Sequence, residues 1–105
     1  MRNAVAVMLR QPVHKLPLRW EDEAIEDWFY RLEKDFNVRF RFLDQQHEWD
    51  PPPAGVWVAI VPSAKEDSDA THAVPMLGRT MLRDAEFYWG RAYELVICGI
   101  ALEDQ

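Results

Sequence analysis

Ile25-Glu26-Asp27-Trp28-Phe29-Tyr30-Arg31-Leu32-Glu33-Lys34-Asp35-Phe36-Asn37-Val38-Arg39-Phe40-Arg41-Phe42 changes its hydrophobic period once, at Asn37, and that change sets the fold class. Before Asn37, apolar side chains recur at Ile25, Trp28, Phe29, Leu32 and Phe36, the spacing of one helical face. The helix is expected over Trp20 to Phe36, with Glu21, Asp22 and Glu23 in its first turn, where acids complement the helix dipole. Asn37 suits the left-handed residue that stops a helix. After it, Val38, Phe40 and Phe42 alternate with Arg39 and Arg41, as in a strand with one face in the core.

On the N-terminal side, Ala4, Val5, Val7, Met8 and Leu9 form a short buried helix that Asn3 could cap and Pro12 must end. On the C-terminal side, residues 44–55 read as a loop, because Pro51-Pro52-Pro53 cannot donate to a ladder or a helix. Val56 to Val61 is apolar throughout, which fits a central strand buried on both faces. Lys65 to Asp69 reads as a polar loop. Residues 71–85 form a hairpin around Gly78. A three-residue loop, Leu77-Gly78-Arg79, sets Val74 opposite Leu82 and His72 opposite Asp84; a two-residue loop at Gly78-Arg79 sets Val74 opposite Arg83 and parts His72 from Asp84. The apolar pattern favours the first register, with Pro75 marking an edge or bulge. Ala92 to Leu102 is the last long strand. The expected fold is α+β: one domain over residues 1–105, with a short helix and a long amphipathic helix packed on one face of an antiparallel sheet of about five strands.

With 49% hydrophobic residues, the chain can build a core and does not have the composition of a disordered segment. The formal charge of −6 is uneven: residues 1–20 carry Arg2, Arg10, Lys15 and Arg19 and no acid, whereas residues 21–35 carry seven acids against two bases. An acidic balance without a basic stripe argues against binding the nucleic-acid phosphate backbone. A single cysteine makes no internal disulfide, no apolar run is long enough to cross a bilayer, and the start does not read as a signal peptide; a cytoplasmic setting is therefore expected.

The pieces in order are Asn3-Ala4-Val5-Ala6-Val7-Met8-Leu9 with Pro12, the acidic helix to Phe36, the proline run to Gly55, Val56 to Ser63, His72-Ala73-Val74 and Asp84. That succession resembles small phage and bacterial proteins of the papain-like superfamily, related in outline to bacteriocin-processing peptidases. The resemblance implies that His72 is the general base of a thiol hydrolase and Asp84 the carboxylate that orients it. It places the nucleophilic cysteine at about Met1, at a helix N-terminus that would lower a thiol pKa. A methionine thioether can neither ionise nor attack, and Ala85 stands where the family commonly has proline. The resemblance therefore implies an inactive papain-like domain that acts by binding a protein, or a thiol peptidase or amidase whose cysteine precedes Met1. A His–Asp pair across a hairpin serves equally well as a polar contact at a sheet rim, and that reading stands beside the other two.

His14 and His47 fall in loops without metal-type spacing, so neither a metal nor any other cofactor is expected. Cys98 lies among Val96, Ile97 and Ile100, where burial would raise its pKa. Of the five tryptophans, Trp28 and Trp57 belong to the core pattern. Trp20, Trp49 and Trp89 lie at element ends or in loops, and are the candidates for contact with a protein partner.

Overall fold

The structure, a computed structural model, describes residues 1–63, 70–83, 88 and 90–103; the polar loop expected over Lys65 to Asp69 lies outside them. Among the described residues the chain is an α+β fold with three α-helices and a five-stranded antiparallel sheet. The helices are α1 (Arg2–Leu9), α2 (Ile25–Phe36) and α3 (Gln46–Trp49); the strands are β1 (Phe40–Leu43), β2 (Val56–Pro62), β3 (Thr71–Leu77), β4 (Thr80–Met81) and β5 (Cys98–Leu102). Their order across the sheet is β1-β5-β2-β3-β4, so the last strand of the chain inserts between the first two. β2 holds the middle, as its unbroken apolar run requires.

Asn37 ends α2 in the left-handed conformation, with φ 53°. The helix begins later than its acidic lead-in suggests, at Ile25. The Glu23 carboxylate accepts a hydrogen bond from the Trp20 backbone amide at 3.1 Å, and the Glu23 amide donates to the Trp20 carbonyl at 3.1 Å. These bonds close a turn over residues 20–23, and the acids of the first helical turn are Glu26 and Asp27. The helix is twelve residues long. α1 starts one residue before Asn3, with Met1 as its N-cap and no side-chain cap. The Arg2 guanidinium donates from Nε and Nη2 to the Leu16 carbonyl at 3.0 and 2.8 Å, tying α1 to the 3-10 turn Val13–Lys15.

Within residues 44–55 a short helix forms where the prolines predict only a loop. Gln45 and Glu48 make a reciprocal capping box, each side chain accepting from the other's backbone, and this sustains the single turn of α3. The expected strand over Ala92–Leu102 divides into a 3-10 turn at Ala92–Leu95 and β5. The turn buries Ala92 under the sheet and lets the Tyr93 hydroxyl donate to the Trp49 carbonyl at 2.7 Å, an apolar requirement that periodicity alone cannot tell from a strand.

Both faces of the sheet are covered. α1 and α2 pack Val5, Met8, Trp28, Phe29 and Leu32 on Phe40, Val58, Ala73 and Ile100. Phe29 meets Phe40 and Phe42 edge-to-face, at centroid distances of 4.9 and 5.5 Å. The opposite face carries Leu43, Trp57, Ala59, Val61, Val74, Met76 and Ala101, closed by Trp49, Met81, Tyr88 and Ala92. The expectation of helices on one face thus holds for α1 and α2, while α3 and the turn at Ala92–Leu95 cover the other. Trp49 belongs to this second core at 7% exposure, which corrects its assignment as a partner contact: the indole closes the sheet face and is not presented to solvent.

Candidate functional site

Residues that face each other across an antiparallel pair share one side of the sheet. His72 faces Val61, and Ala73 faces Ile60. Val61 is in the core layer of Trp57, while Ala73 lies under α1. The imidazole therefore leaves β3 on the side away from α1, and its ring stacks on Tyr88 with a centroid distance of 6.4 Å and an interplanar angle of 11°. Tyr88 is anchored in turn by its hydroxyl, which donates to the Pro62 carbonyl at 2.9 Å.

Met1 caps α1, which packs on β2 and β3 from the other side. The helix that starts at the position which the resemblance gives to the nucleophile thus packs on the face of β3 opposite to the one that the His72 side chain leaves. Cys98 faces Ile60, on the α1 and α2 side as well. Its thiol is pushed up from the ordinary value, first by burial and then by the charge of Asp44. The chain's cysteine and His72 thus emerge on opposite faces.

The hairpin register differs from the one that the apolar pattern favours. Met76 faces Met81 and Leu77 faces Thr80, so the loop is the two residues Gly78-Arg79. Gly78 takes φ 60°, a conformation that suits the tight turns whose twist matches paired strands. Its carbonyl accepts a hydrogen bond from Trp57 Nε1 at 2.9 Å, which fixes the tip against the second core. Matching apolar residues points to the three-residue loop, but Leu82 is exposed and Met81 is the residue that turns inward. The opposition of His72 and Asp84 depends on that three-residue loop. Asp84 itself lies outside the described residues, as do Ala85 and Trp89.

Trp20 is at the surface, with 64% exposure, and is held there by a built arrangement that no local pattern in the sequence announces. The Arg31 guanidinium lies 3.8 Å from its ring centroid. Arg31 donates from Nε and Nη2 to the two Glu23 carboxylate oxygens at 2.8 and 2.7 Å, and from Nη2 to the Leu18 carbonyl at 2.9 Å. The arginine hydrogen bond is the main reason that the Glu23 carboxyl is held below its usual range, and the same bond raises Arg31. The one signal in the sequence is Glu23 standing eight residues before Arg31, which becomes a contact only because the chain turns at residues 20–23. A second cluster ties the hairpin tip to the end of α3: Arg79 reaches Asp50 at 3.4 Å, and the Tyr93 hydroxyl oxygen lies 3.2 Å from the same carboxylate oxygen.

Among the described residues, no three His, Cys, Asp or Glu side chains come together as a metal site, and no helix is long and apolar enough to cross a membrane. His14 lies in the Val13–Lys15 turn and His47 in α3. The chain matches no protein-family model, and no curated protein or solved structure matches it.

Proposed function

We propose that this chain is a catalytically inactive papain-like domain of phage descent that works in the cytoplasm by binding a protein partner and so modulating a host system. One observation supports the inactive reading: the cysteine of the chain, Cys98, and the candidate base, His72, leave opposite faces of the sheet. Thiol hydrolysis needs the imidazole within hydrogen-bond reach of the sulfur it deprotonates. Papain-like descent is supported by the order of the elements, a buried helix, an amphipathic helix, a central strand ending in Pro62-Ser63 and a His strand that turns at Gly78. Binding is supported by the exposed, rigidly held Trp20, since aromatics fixed at a surface are the common anchors of protein interfaces.

A second reading is a thiol peptidase or amidase completed by a cysteine just ahead of Met1. It is supported by the place of α1: Met1 is the N-cap, so a cysteine just ahead of it would stand at the N-terminal end of a helix packed on the His72 strand. The two readings separate on the Met1→Cys protein, released from a cleavable fusion, with and without His72→Ala. The inactive reading expects the introduced thiol to react with iodoacetamide like an ordinary one, at a rate indifferent to His72→Ala. An introduced thiol that is highly reactive near neutral pH, and loses that reactivity with His72→Ala, overturns it in favour of the second.

A further inference from the structure

The turn over residues 20–23 and the outer side of α2 enclose a shallow cleft of about 610 Å³, with Trp20 and Tyr30 as its aromatic walls. Its carboxylates are Glu21, Asp22, Glu23 and Asp27, and among the described residues the cation that lines it is Arg31. That cation is already engaged: two bonds to Glu23, one to the Leu18 carbonyl, and a stack on one face of the indole. Arg19 lies near enough for its charge to act on Glu23 as well. Glu21, Asp22 and Asp27 are not buried, and none of them forms an ion pair among the described residues.

The surplus negative charge therefore borders two aromatic rings that are 64% and 58% exposed. The molecule shows what such rings accept. Arg31 lies over Trp20, and Lys34 Nζ lies 4.4 Å from the centroid of Tyr30. With Arg31 fixed beneath it, the indole turns its other face to solvent, and a ring attracts a cation on either face through its quadrupole. A phosphate-bearing ligand would meet repulsion from the carboxylates. An uncharged apolar segment would strip them of water without return.

We infer that this cleft docks a cationic segment of a partner protein, laying one arginine or lysine side chain on the open face of Trp20 and its neighbours against Asp22 and Asp27. The inference rests on the protein-binding part of the proposed function and supplies the chemistry of the partner.

The test uses the full chain and two short fluorescein-labelled peptides, one alternating arginine with serine and one alternating glutamate with serine, followed by fluorescence anisotropy. The arginine peptide should bind saturably, the glutamate peptide should not, and added salt should weaken binding. Trp20→Ala and, separately, Asp22→Asn with Asp27→Asn should each lower the affinity at least about fivefold while circular dichroism stays unchanged. The second variant leaves the Arg31 stack intact, so its effect cannot come from loosening that stack. Equal affinity in wild type and both variants would mean attraction to the net charge alone and would overturn the inference; so would no binding, or a dimer in sedimentation that the same variants dissolve, which would give the cleft to a second copy of the chain. The Met1→Cys experiment is independent of these outcomes. Ordinary thiol reactivity with a failed peptide removes the docking site and leaves the inactive reading standing, whereas a His72-dependent nucleophile removes the inactive reading whatever the peptide does.

Discussion

Gly99→Ala should destabilise the protein by overpacking the second core. Gly99 lies on β5 opposite Ala59, on the sheet face that carries Trp57. A Cβ built there would meet Trp57 Cζ3 and the Val58 backbone oxygen, each at 3.0 Å, and Trp57 Cε3 at 3.2 Å. The indole cannot easily withdraw. It is fully buried, its Nε1 is bound to the Gly78 carbonyl at 2.9 Å, and Tyr93 meets it edge-on at a centroid distance of 6.3 Å. The Val58 oxygen belongs to the central strand and moves only with the ladder. Overpacking of this kind costs about 1–3 kcal/mol. The loss of unfolded-state entropy on replacing glycine offsets about 0.4–1 kcal/mol of it. A net loss of about 1–2 kcal/mol corresponds in a domain of this size to a fall in Tm of roughly 5–15 °C. Urea and thermal unfolding followed by tryptophan fluorescence read it directly. Repeating the substitution in a Trp57→Leu background removes the ring contacts and keeps the Val58 contact, so the penalty should shrink without vanishing. A Gly99→Ala protein with wild-type stability, or an identical penalty in both backgrounds, would refute the packing described for the second core.

Two further outcomes follow from titrating groups. Glu23 has its folded pKa lowered below the ordinary 4.5, chiefly by its hydrogen bond from Arg31. Its carboxylate therefore stabilises the native state above that value, and the contribution is lost as the pH falls through the lower folded value. Thermal melts should show Glu23→Gln less stable than wild type above about pH 5, with the gap closing in more acid solution; a gap that is constant down the acid range would contradict the Arg31 clamp. Cys98 has its pKa raised mainly by burial, so at a fixed mildly alkaline pH Ellman's reagent should modify it at least about tenfold more slowly in the native protein than in urea. Native-state modification as fast as in the unfolded chain would place the thiol elsewhere than between β1 and β2 under the helices.

The α+β class is legible because α2 and β1 each carry a clear period and Asn37 carries the break between them. Val56 to Val61 is legible as the centre of the sheet because both of its faces are apolar. The pieces that escape depend on bonds between residues distant in sequence. The charge of Glu23 suits a first helical turn, but its partners are Trp20 and Arg31, and their contact exists only in the folded chain. Trp49 lies in a polar, proline-bounded stretch that reads as surface; α3 folds it back into the core of Trp57 and Tyr93, and the Tyr93 hydroxyl closes that fold on the Trp49 carbonyl. The stretch from Ala92 to Ile97 is mostly apolar, yet its first four residues form a 3-10 turn, and a nearly unbroken apolar run has no period by which to tell a turn from a strand.

The hairpin shows how one residue of register governs the functional reading. Because side chains alternate along a strand, a shift of one position moves every side chain to the other face. Leu82 and Met81 are equally good apolar partners by composition, and what separates them is the tip: Gly78 in a left-handed conformation, clasped by Trp57, leaves room for two loop residues. On the other side of β3 the same alternation sends Ala73 toward α1 and His72 toward Tyr88. A small residue at position 73 lies under α1 and leaves room for the helix to pack on the sheet. Because the pairing of β3 with β2 runs uninterrupted from Thr71 to Leu77, no bulge resets that alternation, and His72 stays on the side of Tyr88.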